Sequence, residues 1–204
     1  MLILASASPR RRELLAQAGF TFQVHPAQIP EDPRPKEDPI AYVARLAREK
    51  AQTVFAQLAA RPEVASDLAV LGADTTVTLD DQILGKPSDP ADAARILRLL
   101  SGRTHHVITG VALVTATSTV EAAEVTAVRF LTLSDEEIAA YVATGEPMDK
   151  AGAYAIQGRA IRWIPRIEGC YSNVVGLPVA LVATLLESHQ PLAASGAQDS
   201  QQNC

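Results

Sequence analysis

With 204 residues, of which 48% are apolar and 20% charged, the chain is long enough for one substantial core, or two small lobes sharing a sheet, and wholesale disorder is excluded. Its net charge of -5 excludes a general nucleic-acid coat but not a local basic cleft, because field focusing depends on where charges sit. No apolar run reaches the roughly 20 residues that span a bilayer, and the N-terminal run is too short for a secretory signal. Cys170 and Cys204 match no zinc-ligand or disulfide pattern, so a cytoplasmic protein of a reduced compartment is expected, with no membrane or nucleic-acid partner.

Residues 2–5 read as a buried strand, followed by a helix over residues 9–18 that Gly19 stops. Residues 20–25 suit a second short strand, and the proline-rich residues 26–39 an irregular loop. Asp38-Pro39 opens a long helix whose apolar face carries Ile40, Val43, Leu46, Ala47, Val54 and Leu58, with Arg45, Arg48, Glu49 and Lys50 nearer its polar side. Residues 68–72 read as a buried strand, and residues 75–79 pair with 82–84 through an Asp80-Asp81 turn. Asp89-Pro90 caps a helix through Leu100 that Gly102 closes. Residues 107–115 and 124–133 suit two long antiparallel strands, and Ser134 to Glu137 matches a capping box for a helix ending near Gly145. A glycine-bearing stretch over 149–158, a strand over 161–164 and a helix over 178–188 complete a single domain of residues 1–189, and residues 190–204 form a polar, flexible tail. Strands alternating with helices predict an α/β fold around one curved sheet.

The first helix opens with its charge reversed. Ser8 suits the N-cap and Pro9 the first helical position, so Arg10, Arg11 and Arg12 crowd the end where the helix dipole is positive. An acid there is worth about 0.3–1 kcal/mol, whereas three cations repel the dipole and one another unless a polyanion relieves them. A solvated basic turn is the alternative. Asp74, in Gly72-Ala-Asp-Thr75, is expected at the carboxyl end of an apolar strand, the edge from which α/β sheets present ligand-binding groups. An acid there can bind a divalent cation, take a proton from water, or hydrogen-bond its own turn. Lys86, in Gly85-Lys-Pro87, suits phosphate or plain solvent, and the hairpin returns it towards Asp74. Gln157 carries a donor and an acceptor that can read a base edge. Residues 172–178 can bind substrate or cap and turn the chain. His105-His106, with no third ligand at metal spacing, reads as structural. P-loop and dinucleotide-binding glycine patterns are missing.

Taken together, Ser6-Ala-Ser-Pro-Arg-Arg11, Gly72-Ala-Asp-Thr75, Gly85-Lys-Pro87, Asp149-Lys-Ala-Gly-Ala-Tyr154, Ile156-Gln-Gly158 and Ser172-Asn-Val-Val-Gly-Leu-Pro178 resemble, in order, the blocks of the Maf family of nucleoside triphosphate pyrophosphatases. The resemblance implies an elongated mixed sheet flanked by helices, with two lobes around a central cleft, similar to inosine triphosphate pyrophosphatases. It implies hydrolysis between the α- and β-phosphates with a divalent cation, magnesium or manganese. On this chain it makes Asp74 the catalytic acid that activates water, with Lys86 and Glu31 beside it and Asp74 and Glu31 as metal ligands. Ser8, Arg10, Arg11 and Lys86 would hold the phosphates, with Lys50, among the substrate-binding residues, and Glu31, placed by spacing alone, as further members of the cleft. The form of the 149–158 segment looks like the branch acting on dTTP and UTP, and Arg10, Thr75 and Gln157 match the positions associated with that choice. Arg12, Ala155, Arg159 and Cys170 depart mildly from the pattern. The family further implies a homodimer, and roles in removing noncanonical nucleotides or restraining division. A nucleotide sensor without turnover is the alternative from another class, and a phosphatase releasing orthophosphate a third reading.

Overall fold

A computed structural model describes residues 1–60, 67–80 and 82–189. Among these, seven strands form one mixed sheet of order β2-β1-β3-β5-β6-β7, with β4 also paired to β3. The strands are β1 (Leu2–Leu4), β2 (Gln23–Val24), β3 (Ala69–Leu79), β4 (Gln82–Leu84), β5 (Thr104–Val114), β6 (Thr119–Arg129) and β7 (Arg166–Glu168). β1 runs parallel to β2 and β3, and the remaining pairs are antiparallel. The helices are α1 (Pro9–Gln17), α2 (Pro39–Ala59), α3 (Pro90–Leu100), α4 (Asp135–Val142), α5 (Tyr171–Val175) and α6 (Val179–His189).

The helix starts follow their caps. Ser8 Oγ accepts from Arg11 N with Pro9 at the first position, Asp38 Oδ1 accepts from Ile40 N and Ala41 N, and Asp89 Oδ1 accepts from Asp92 N. Ser134 and Glu137 form the expected capping box. Such caps are worth about 1 kcal/mol each and fix where each helix begins.

α2 lies across β3 and β5 on one face of the sheet, and two glycines let it approach. A Cβ at Gly72 would strike the Ala47 carbonyl, and one at Gly110 would meet the Val43 backbone at 2.5 Å. On the opposite face, Leu177, Val182 and Leu185 pack with Leu4, Leu15, Leu71, Val111 and Leu113. A separate core lies towards the far ends of the long strands, where Val77, Leu97, Leu100, Phe130, Tyr141 and Trp163 close together. β3 and β5 therefore bridge these two apolar cores, and the cleft opens beside the second, walled by its Val77, Val107, Tyr154 and Ile156 together with Tyr42 and Ile83.

Several expected boundaries moved. The strands expected over 68–72 and 75–79 are one strand, β3, because Asp74 pairs in register with Gly110 without a break. Asp74 is thus mid-strand rather than at a carboxyl end. The hairpin to β4 forms, with Leu79 opposite Gln82; of its expected turn, Asp80 takes a positive φ of 49°, and Asp81 lies outside the described residues. The strand expected over 20–25 shrinks to two residues, and those over 107–115 and 124–133 shift to 104–114 and 119–129 around a turn at 115–118. The strand expected over 161–164 is instead a 3-10 helix, Arg159–Trp163, and strand pairing resumes only at β7. Ala160 and Trp163, three residues apart, are its buried positions, which is the period of a 3-10 turn and not of a strand. The 149–158 stretch contains 3-10 turns, and 171–175 forms the unexpected α5. The tail beyond residue 189 lies outside the described residues. Among the described residues no helix is long and apolar enough to cross a membrane.

Candidate active site

The cleft begins as a gap in the sheet. β5 covers one edge of β3 from Val70 to Thr78, while on the other edge β1 covers only residues 69–71 and β4 only 77–79. Between them, residues 72–76 carry no strand on that edge. A cavity of about 670 Å³ opens there, and it is lined by all nine expected site residues: Ser8, Arg10, Arg11, Glu31, Lys50, Asp74, Thr75, Lys86 and Gln157.

Strand alternation sends Asp74 towards α2 and Thr75 to the opposite face. Asp74 is 7% exposed, and Lys50 of α2, equally buried, donates to its Oδ1 at 2.7 Å. Lys50 was expected nearer the polar side of its helix. Counting by turns from Val43 through Leu46 and Ala47 brings Lys50 onto the same buried face as Val54, so the apolar spacing already held the answer. Lys50 Nζ also meets Glu31 Oε1 at 2.5 Å, and Lys86 Nζ lies 3.9 Å from Glu31 Oε2. Two carboxylates and two ammonium groups thus alternate along the wall that β3 and α2 give the cleft. Partial burial pushes the Glu31 carboxyl up, but its hydrogen bond and charge contact with Lys50, and the charges of Lys86 and Arg11, outweigh this and hold it below its ordinary value.

The arginine-bearing end of α1 closes one wall, and its three arginines divide. Arg11 is held inward by four hydrogen bonds, from Nε to Gly176 O at 2.8 Å, from Nη1 to Ala73 O at 2.9 Å and Ser6 Oγ at 3.3 Å, and from Nη2 to Thr75 Oγ1 at 2.9 Å. Burial lowers its pKa. The Ala73 carbonyl it binds belongs to the unpaired edge of β3, so Arg11 caps part of the gap with side-chain donors. Arg10 reaches across the mouth to Asp149 Oδ2 at 3.4 Å, and Arg12 is exposed. Thr75 has its hydroxyl engaged by Arg11, by Thr109 Oγ1 at 2.9 Å and by Gly176 O at 3.3 Å.

The opposite wall is the 146–159 segment. Glu146 Oε1 accepts from the Tyr141 hydroxyl at 2.7 Å and from Arg159 N at 3.1 Å, and Lys150 Nζ donates to Glu146 O at 2.7 Å. Gly152 N donates to Gly85 O at 3.1 Å, which ties this wall to the Lys86 loop. Behind it, Tyr154 and the buried His105 are paired, hydroxyl to Nε2 at 2.8 Å, and burial lowers the His105 pKa to about 3. His105 is structural, as its isolation from other ligands suggested. Gln157 is exposed and lines the cavity, as Ile156, Ile83 and Val107 also do. In the 172–178 segment, Asn173 Nδ2 donates to Val107 O and Thr126 Oγ1, and Ser172 Oγ accepts from Val179 N, so these two groups cap and brace rather than face the cleft. Tyr42 and Glu37 escaped the sequence reading, which placed Arg45 on the polar side of its helix and Asp149 in a motif block without giving either a role at the site. Only the i, i+3 and i, i+4 spacing of Tyr42, Arg45 and Glu49 hinted at a shared face.

An open α/β sheet whose central gap is ringed by cations around one buried carboxylate defines an anion-binding cleft. The chain belongs to the Maf family, whose model, described as Maf-like protein, matches residues 1–189. It is 53% identical over 185 residues to a protein of Koribacter versatilis (strain Ellin345) named dTTP/UTP pyrophosphatase, covering 91% of this chain and 92% of that protein. Proteins of the same name from Shigella sonnei (strain Ss046) and Escherichia coli O157:H7 are 51% and 50% identical over 191 residues, covering 94% of each chain.

Proposed function

We infer that this chain is a nucleoside triphosphate pyrophosphatase that hydrolyses dTTP and UTP between the α- and β-phosphates, giving the nucleoside monophosphate and pyrophosphate. The relatives' shared name supports the substrate, and the observation that carries the chemistry is the buried Asp74 carboxylate set among cleft cations. Without a bound cation, a site that only held triphosphate would gain nothing from a buried negative charge. Lys50 engages Oδ1 of Asp74, and Oδ2 accepts no hydrogen bond from the described residues, so Oδ2 is the atom that takes a proton from water. The water oxygen then bonds to the α-phosphorus, the bond to the bridging oxygen breaks, and its electron pair leaves with pyrophosphate. Arg10 and Lys86, with the fixed charge of Arg11 and the Ser8 end of α1, offset the phosphate charge. Gln157 faces the base, where its amide pairs with a pyrimidine carbonyl and imide N–H.

A nucleotide pyrophosphatase suggests a divalent metal in general, and the finer assignment of magnesium or manganese is part of this reading. Such hard cations take one or two protein carboxylates and complete their shell with phosphate oxygens and water. Asp74 and Glu31, which converge on the single positive charge of Lys50, fit that demand and would hold the ion. Among the described residues no larger group of candidate ligands forms. When bound, the cation offsets phosphate charge and polarises a phosphoryl oxygen. The test is product analysis. Purified chain with magnesium or manganese and a panel of canonical and modified nucleoside triphosphates is expected to release pyrophosphate fastest from dTTP and UTP, and a chelator is expected to stop it. Orthophosphate as the first product, or tight binding with no product, would overturn the reading.

A further inference from the structure

The segment that delivers Glu31 has no helix or strand of its own between β2 and α2. Its carboxylate nevertheless meets Lys50, so something fixes its backbone. Two side chains one turn apart on α2 supply the donors. The Tyr42 hydroxyl donates to Glu31 O at 2.8 Å, and Arg45 Nη2 donates to Asp32 O at 3.2 Å. The two acceptors are consecutive carbonyls.

Arg45 is itself held from every side. Its Nε and Nη2 donate to the two oxygens of Glu37 at 2.6 and 2.7 Å, its Nη1 donates to Glu49 at 3.3 Å, and its guanidinium lies 5.7 Å from the Tyr42 ring centre. Glu37 in turn closes the turn at 34–37, accepting from Arg34 N at 2.9 Å while its own N donates to Arg34 O. Arg45 and Tyr42 are 7% and 8% exposed. A buried ion pair is a weak net stabiliser, because desolvation opposes the attraction, and its best-attested use is to fix register. Here the register is that of the 31–37 segment against α2. Lys50 lies two turns further along the same helix, so one rigid element carries both the cation that meets Glu31 and the donors that set the Glu31 backbone.

We propose that Tyr42 and Arg45 are positioning residues, a clamp on α2 that sets the backbone at 31 and 32 so that the Glu31 carboxylate meets Lys50 beside Asp74. Its consequence for turnover rests on the reading of Glu31 as a working member of the site.

The experiment compares the full chain with Tyr42→Phe, which removes one donor and keeps the ring, and Arg45→Lys, which keeps the charge and loses the fork. Each is made alone and with Glu31→Gln. Amide hydrogen exchange should quicken at Arg34 and Glu37, whose amides are the hydrogen-bonded ones of residues 30–37, and not elsewhere. In Tyr42→Phe, kcat for dTTP should fall about three- to tenfold, the weight of one hydrogen bond, with KM unchanged. In the Glu31→Gln background the same change should cost almost nothing further. Unchanged exchange at Arg34 and Glu37 overturns the clamp, as does a kcat loss of the same size in both backgrounds. Exchange reads the clamp even in a chain that turns over no dTTP. If Glu31→Gln keeps full turnover while Tyr42→Phe still loosens 30–37, the clamp stands and Glu31 leaves the reaction.

Discussion

The two walls of the cleft are built by opposite means. The wall that carries Asp74 and Lys50 consists of a paired strand and a crossing helix, with its charges buried and locked to each other at 2.7 Å. The wall that carries Gln157 consists of short 3-10 turns wound around one carboxylate, Glu146, which binds a tyrosine hydroxyl and a backbone amide. Chemistry at a phosphorus atom demands fixed charge, and regular structure supplies it. Reading a base demands backbone that can follow the ligand's outline, and turns supply that. The two walls meet where Val77 of β3 packs with Ala153, Tyr154 and Ile156, and the bond from Gly152 N to Gly85 O ties the second wall to the Lys86 loop.

This contrast predicts that substitutions in the first wall cost turnover and those in the second cost recognition or local stability. Asp74→Asn should cut kcat for dTTP by about 10²–10⁴-fold, the range for loss of a general base, in a chain whose circular dichroism shows that it still folds. Near wild-type turnover would break the division of labour. Glu146→Ala strips the buried Tyr141 hydroxyl of its acceptor, and chemical denaturation should register a loss of about 1–3 kcal/mol together with a raised KM. Gln157→Ala should lower kcat/KM for dTTP about tenfold, one to two hydrogen bonds' worth, and narrow its margin over purine triphosphates while kcat stays closer to wild type. An equal fall in kcat would make Gln157 part of the chemistry. A further effect, on stability and not on turnover, is one of pH. The hydrogen bond from Arg45 lowers the Glu37 carboxyl from 4.5 to about 2. A depressed carboxyl contributes stability that is complete above its unfolded value and is lost as pH falls through the folded one. Melting curves of Glu37→Gln and wild type should therefore be well separated near neutral pH and converge between about pH 4.5 and 2.

The elements that the sequence disclosed were those with local grammar. Ser8-Pro9, Asp38-Pro39, Asp89-Pro90 and the Ser134–Glu137 box each mark a helix start with a side-chain acceptor, and each helix begins there. Seven of the nine site residues were found through motif order, Glu31 and Lys50 only as further members of the cleft that the family resemblance implies, and the fold brings all nine to one cavity. What stayed hidden depends on long-range pairing. Asp74 read as a strand end because nothing local reveals that β5 continues past it, and 161–164 read as a strand because apolar β-formers fit either period until Trp163 finds Tyr141 at 5.1 Å. Arg45 looked like a surface cation because its partner Glu37 lies in a loop whose path the sequence does not reveal.

The gap along β3 has a consequence for what this sequence can tolerate at its beginning. A β1 longer by two or three residues would continue the ladder onto the Ala73 and Thr75 backbone, satisfy the edge that Arg11 now covers, and heal the sheet. The turn away from the sheet at Ala5 and Ser6 is therefore a stop signal as much as a linker. The protein would become a better sheet and lose its mouth, so the shortness of its first strand is itself a functional trait.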